Sequence, residues 1–232
     1  MLDLIGTTVL TAAIAVNLNA TIVTMPLSSV QKLTGVAIAG LWIGLAIALG
    51  TTGIYASATP VPAVGVMAGL PVVAAGVAAL LSRKVREVLL ALPVNLLVGL
   101  NVMRILGGFF LLLTLQNRLS GPFPQSAGWG DIIVGLTAIP LTLAIARNPG
   151  GHRGALFAWN LLGTLDLISA VTLGIISAPG SPLQLLGGTI GSTAVWMLPW
   201  SNIPTLLVPF YLVTHGIIFA KLAGAGREAA VA

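Results

Sequence analysis

The chain has 232 residues, of which 57% are hydrophobic and 6% charged, with no cysteine and a net charge of +5. A water-soluble domain carries charge on roughly a quarter of its residues, so the composition excludes an ordinary soluble enzyme or binding module, and the lack of cysteine excludes disulfides, thiolate metal sites and thiol catalysis. The basic residues sit in short connections between apolar runs, a placement that sets membrane orientation and argues against nucleic acid as a partner.

Seven apolar runs follow one another, at residues 4–24, 33–55, 61–81, 94–116, 131–147, 155–177 and 203–222. Each approaches the roughly 20 residues needed to cross a hydrocarbon layer. The expected fold is therefore all-α, a single transmembrane domain over 1–232 forming a polytopic seven-helix bundle whose partner is the lipid bilayer. The first run lacks the basic segment of a signal peptide and is expected to be a retained helix. The fifth run is the shortest, and Pro71, Pro140 and Pro209 are expected to bend the third, fifth and seventh.

With seven crossings, Lys32, Arg83, Lys84, Arg86, Arg147, Arg153, Lys221 and Arg227 fall on one side and Arg118 alone on the other. That asymmetry predicts an external N-terminus and a cytoplasmic C-terminus. Between the third and fourth runs, Ser82 to Pro93 reads as a short interfacial helix with a basic start. Residues 178–202 are too rich in Gly, Ser and Thr for a crossing and are expected to form an external lid, a re-entrant piece or a surface-lying segment. Gly40 with Gly44, and Gly65 with Gly69, have the small-xxx-small spacing of close helix contacts. Trp129, Trp196 and Trp200 at one face, and Trp159 near the other, are expected to be interfacial anchors.

Arg104 interrupts the fourth run at mid-depth, where a permanent charge needs a partner or water. Counting helical rise, Asp166, His215 and Asn17 lie at similar depth. Asn101, Arg104 and Gly108 share one stripe of the fourth helix, and Tyr211 is one turn from His215. These residues point to a polar midplane site made of Arg104, Asp166, His215, Asn17, Asn101 and Tyr211, with Arg104 and Asp166 as a buried ion pair. The pair serves one of two ends: it locks helices together, or it binds a proton or a small polar or anionic ligand. Asp131, placed where the fifth run begins, is expected to cap that helix or, with Arg118, to line an entrance.

No phosphate-binding loop, HExxH pair, nucleophile elbow or pair of buried histidines suited to haem is present, so no metal and no cofactor is expected. Lys221 lies at the end of the seventh run, which disfavours a retinal Schiff base. The runs RILGGFFLLL from Arg104, GWGDIIVGL from Gly128, WNLLGTLDL from Trp159 and IPTLLVPFYLVTH from Ile203 resemble a group of uncharacterised bacterial multi-pass inner-membrane proteins. The resemblance spans roughly Pro93 to Leu222 and implies a bacterial inner membrane, but no activity. The leading expectation is a small carrier or channel-like protein, proton-linked or moving a solute, that is not driven by ATP. A scaffold, sensor or assembly subunit is the alternative, and a membrane enzyme acting on lipid or isoprenoid comes third.

Overall fold

A computed structural model of the chain describes the backbone of residues 1–56, 60–186 and 188–231, and the side chains of these except 60–62 and 225–231. Arg227, counted above with the basic side, lies outside the described side chains, and Gly187 of the 178–202 segment lies outside the described residues. The described residues form helices and turns, with no strand among them. Seven helical stretches are long and apolar enough to cross a membrane.

Helices α1 (Leu2–Thr24) and α2 (Ser29–Thr51) form a hairpin. The start of α2 is fixed by a capping box, in which Ser28 and Gln31 exchange side-chain to backbone bonds. This box adds residues ahead of the expected start at 33. After α3 (Pro60–Leu81) comes α4 (Arg83–Ala91), the short amphipathic helix that the pattern predicts. Ser82 caps it by accepting from Val85 N–H, and Arg83 pairs with Glu87 on its exposed side.

The fourth crossing is not one α-helix. It runs as α5 (Val94–Leu100), a 3-10 stretch (Asn101–Gly107) and α6 (Gly108–Leu115). The fifth crossing, α7 (Pro122–Arg147), begins nine residues before the expected start at 131, and its 26 residues make it the longest helix among the described residues. Gly121 and Pro122 supply the start: a positive-φ glycine, then proline in the first turn, where its missing N–H costs nothing. Next come α8 (Arg153–Ile176), a π-helical turn (Ile203–Leu207) and α9 (Val208–Val231). Pro209 has no N–H to offer the carbonyl of Thr205, which is one reason the backbone widens there.

Contacts between segments show which ends meet. Asp3 pairs with Arg118 at one end. At the opposite end Lys221 donates to Leu90 O and Arg153 to Leu222 O. Residues 178–186 and 188–202 cover the Asp3 end: Gly191, Ser192, Ala194 to Trp196 and Trp200 to Asn202 are buried, whereas Pro182, Leu183, Leu185, Leu186 and Ile190 lie exposed at the surface. Ser192 N–H and Oγ donate to Ser177 O and Gly174 O, while Ser120 N–H donates to Gly191 O. Gly191 adopts positive φ directly against Ser177 O, a place with no room for a side chain.

Trp200 is fully buried, stacks near Phe109 with ring centroids 5.1 Å apart, and donates to Asp3 Oδ1 at 2.7 Å. Trp196 and Trp159 are buried as well, so these three are core residues and not the interfacial anchors expected; Trp129 alone of the four is exposed. The four glycines expected to bring helices together, Gly40, Gly44, Gly65 and Gly69, have nothing within 4 Å of where a side chain would begin. Close approach occurs instead along α7. A side chain on Gly135 would meet the backbone nitrogen of Ile105 at 2.8 Å, and one on Gly128 would lie 3.3 Å from Gly107 O. These two glycines let α7 lie directly on the 3-10 stretch.

Candidate functional site

Two apolar clusters fill the bundle. One gathers Leu10, Phe109, Phe110, Phe123, Trp196, Trp200 and their neighbours, and the other Leu92, Leu97, Val134, Leu141, Trp159 and Ile218 with theirs. A charged cluster centred on Arg104 lies where they meet.

The Arg104 side chain is 1% exposed, yet it finds acceptors from three other helices. Its Nε donates to Asp131 Oδ1 at 2.7 Å. Nη2 donates to Asp166 Oδ2. Nη1 donates to Gly163 O at 3.1 Å and faces His215 Nε2 at 3.1 Å. The Tyr211 ring covers the guanidinium, with Cζ 5.8 Å from the ring centroid.

The glycines beside the cluster have a steric reason. A side chain on Gly107 would collide with Asp131, one on Gly130 with Asp166, and one on Gly163 with the His215 ring. Each carboxylate and the imidazole thus rests on a helix backbone that lacks a Cβ.

The chemistry of the partners fixes the histidine tautomer. Arginine can only donate, so His215 Nε2 accepts and its ring proton sits on Nδ1. Nδ1 is 2.7 Å from Asn160 Oδ1, an acceptor, while Asn160 Nδ2 donates to His215 O at 3.2 Å. Asn160 therefore clamps the histidine by ring and backbone together, and the imidazole in this arrangement is neutral. Trp159 packs tilted against that ring at 5.5 Å and donates to Val134 O.

Of the residues expected at the midplane, Arg104, Asp166 and His215 are brought into direct contact, and Tyr211 covers them. Asn17 stands one step removed: its Nδ2 donates to Tyr211 Oη at 3.0 Å. Asn101 does not join the cluster. Its Nδ2 turns back to Leu97 O, and its Oδ1 has no partner among the described residues.

The expectation for Asp131 needs correcting. It is no helix cap, because α7 starts at Pro122 and Asp131 lies more than two turns inside it as a ligand of Arg104. The other entrance residue expected, Arg118, pairs with Asp3 at 2.7 Å, whereas Asp131 pairs with Arg104. Glycines and polar residues in PFPQSAGWG lower the hydropathy of that first part of α7 and hide it, although Gly121-Pro122 marks the true start.

The Asp131 and Asp166 side chains keep 14% and 9% exposure. Asp131 Oδ2 and Asp166 Oδ1 receive no hydrogen bond among the described residues. A cavity of about 20 Å³, bordered by Arg104, Asp131, Gly107 and Tyr211, adjoins the cluster. That is room for one water and too little for a solute. Asp131 also borders a larger apolar cavity of about 70 Å³ between Phe110, Phe123, Trp196 and Pro204. Among the described residues, no group of three or more His, Asp or Glu is arranged to hold a metal ion.

A family model described as a domain of unknown function, DUF8737, matches residues 61–223. The chain belongs to this family. The DUF8737 region begins in α3 and contains every member of the Arg104 cluster, whereas α1 and α2, and with them Asn17, precede it. Neither a curated protein nor a solved structure matches the chain.

Proposed function

We propose that the protein is a small proton-linked carrier or channel-like protein of a bacterial inner membrane, working without nucleotide hydrolysis, in which Asp131 and Asp166 share the transported proton. One observation carries the reading: two carboxylates converge on a single guanidinium beside a neutral imidazole. With both acids ionised the cluster would hold a surplus negative charge between two apolar cores, which costs several kcal/mol in hydrocarbon. One proton shared by the two acids removes the surplus. Arg104 then holds the acids in place and draws the deprotonated form back. A small polar or anionic ligand at Arg104 itself has less support, because an anion would have to displace one of the carboxylates already bonded there.

The distribution of basic residues supports an external N-terminus and a cytoplasmic C-terminus. The likeness of four sequence runs to bacterial inner-membrane proteins supports that location.

The test is proton flux. Purified protein in liposomes loaded with a pH-sensitive dye, under an imposed potential, should acidify or alkalinise the lumen. Asp166→Asn and Asp131→Asn should each abolish this while leaving the protein folded. Flux equal to that of protein-free liposomes across a panel of candidate solutes would overturn the reading.

A second reading, the scaffold, is favoured by how fully Arg104 is engaged and by the lack of solute-sized room beside it. A scaffold would tolerate exchange of Arg104, Asp131 and Asp166 together for apolar residues with no loss of biological activity; a proton carrier would not.

A further inference from the structure

Away from the charged cluster, α3, α4 and α9 leave between them a half-open groove of about 390 Å³. Its long walls run from Val72 to Leu80 on α3 and from Leu212 to Ala220 on α9, and Arg86 with Leu89 of α4 stands at one end. The chain fixes which end: α4 follows α3 after Ser82, and Lys221, next to Ala220, donates to Leu90 O. Gly76 and Gly216, one in each wall, have nothing within 4 Å of where a side chain would begin, so both helices turn bare backbone to the open space. Every lining residue except Arg86 is apolar.

The polar end has charge to spare. Along α4, Arg83, Lys84 and Arg86 face a single acid, Glu87, and that acid is already held by Arg83 at 2.8 Å. Arg86 is exposed and makes no ion pair or side-chain hydrogen bond among the described residues, and the same is true of Lys84.

An apolar groove with an accessible, uncommitted guanidinium at its mouth matches a narrow class of molecule. The walls extend about 12 Å at 1.5 Å per residue, close to the roughly 15 Å of hydrocarbon in one leaflet. The volume is more than twice the roughly 150 Å³ that accepts a benzene ring. Those dimensions suit an acyl chain reaching inward from a head group. A free phosphate would meet Arg86 but leave the groove unfilled, and a zwitterionic lipid would set its own cation beside three others. A phosphodiester without that cation pairs with a guanidinium through two parallel hydrogen bonds, and each Lys or Arg near the membrane surface adds to its attraction.

We propose that this groove binds one anionic phospholipid, with its phosphate on Arg86 and an acyl chain between α3 and α9. The proposal rests on a different part of the molecule from the Arg104 cluster and holds whether or not that cluster carries protons.

The probe is the full chain in nanodiscs of equal parts phosphatidylglycerol and phosphatidylcholine, released in a native mass spectrometer so that retained lipid is counted and identified. The protein should keep one phospholipid, with phosphatidylglycerol favoured about tenfold. Arg86→Gln, at an exposed position, should cut that preference about fivefold. Arg147→Gln, which removes an exposed cation outside the groove, should leave it unchanged. Gly216→Phe, whose ring enters open space, should lower retention of both lipids. Equal retention of the two lipids by the parent, an unchanged preference in Arg86→Gln, an equal loss in Arg147→Gln, full retention in a folded Gly216→Phe protein, or a dimer holding no lipid would each overturn the proposal.

Discussion

Replacing Arg104 with methionine tests the central arrangement most directly. The change keeps most of the side-chain length and volume but removes four interactions: those with Asp131 Oδ1, Asp166 Oδ2, Gly163 O and His215 Nε2. Breaking a buried ion pair from one side costs about 3–5 kcal/mol. The two acids soften this by taking up protons, but Gly163 O and His215 Nε2 then stay unmet at about 1–3 kcal/mol each. The sum places the loss at about 4 kcal/mol or more, against a total stability of roughly 5–15 kcal/mol for a typical protein. Adding Asp166→Leu alone should recover little, because Asp131 remains without its cation. Adding Asp131→Leu as well should recover most of the loss and leave only the unmet carbonyl and imidazole. Denaturant unfolding in mixed micelles, followed by helix signal, measures each variant. An Arg104→Met protein within about 1 kcal/mol of the parent would refute the reasoning, as would full recovery with Asp166→Leu alone, since either outcome means Asp131 is not bonded as described.

Other substitutions probe the packing around the site. Gly130→Ala should push the Asp166 carboxylate off Arg104 and lower the unfolding midpoint, with an overpacking cost of about 1–3 kcal/mol; Gly40→Ala, which meets nothing, should be neutral or stabilising by up to about 1 kcal/mol in the same assay. Trp200→Phe should keep the ring against Phe109 but free Asp3 from the 178–202 segment, and limited proteolysis should then cut that segment faster than in the parent.

The seven helical stretches of membrane-crossing length were legible because apolar length survives any local irregularity, and the Arg104 and Asp166 pairing was legible because a guanidinium in the middle of an apolar run has few ways to exist. Asp131 was hidden for a different reason. Its preceding turns hold Gly128, Gly130, Ser126 and Gln125, residues that read as a loop in water; here Gly128 and Gly130 supply the backbone surface on which Leu111 and Asp166 rest. Spacing misled at Gly108: a stripe drawn at α-helical pitch joins it to Asn101 and Arg104, but the segment is 3-10, so residues three apart line up and the row is Asn101, Arg104 and Gly107. Asn101 stays in that row and misses the cluster because its amide turns back to Leu97 O. Tryptophans at run ends look like interfacial anchors in any sequence; only the path of residues 178–202, folded back into the bundle end, turns Trp196 and Trp200 inward.

The 3-10 row explains why α7 must approach so closely, and Gly135 tests that link. A 3-10 helix is narrower than an α-helix and rises about 2.0 Å per residue, so α7 reaches its side chains only by coming nearer. At Gly135 the atoms in the way are the Ile105 backbone nitrogen at 2.8 Å and Val102 O at 3.2 Å, which cannot swing aside as the end of a side chain can. Gly135→Ala must therefore move α7 as a whole, and Asp131, one turn away on that helix, moves with it. The expected loss is at the upper end of the overpacking range, about 3 kcal/mol, and it should shrink when Arg104 and both acids have already been made apolar, because part of the cost is the stretched Arg104 to Asp131 bond. Gly108→Ala is the control, since its nearest neighbour is the tip of Ile132 at 3.6 Å. Equal stabilities of the two alanine variants would mean that α7 does not need its glycine groove to deliver Asp131 to the guanidinium.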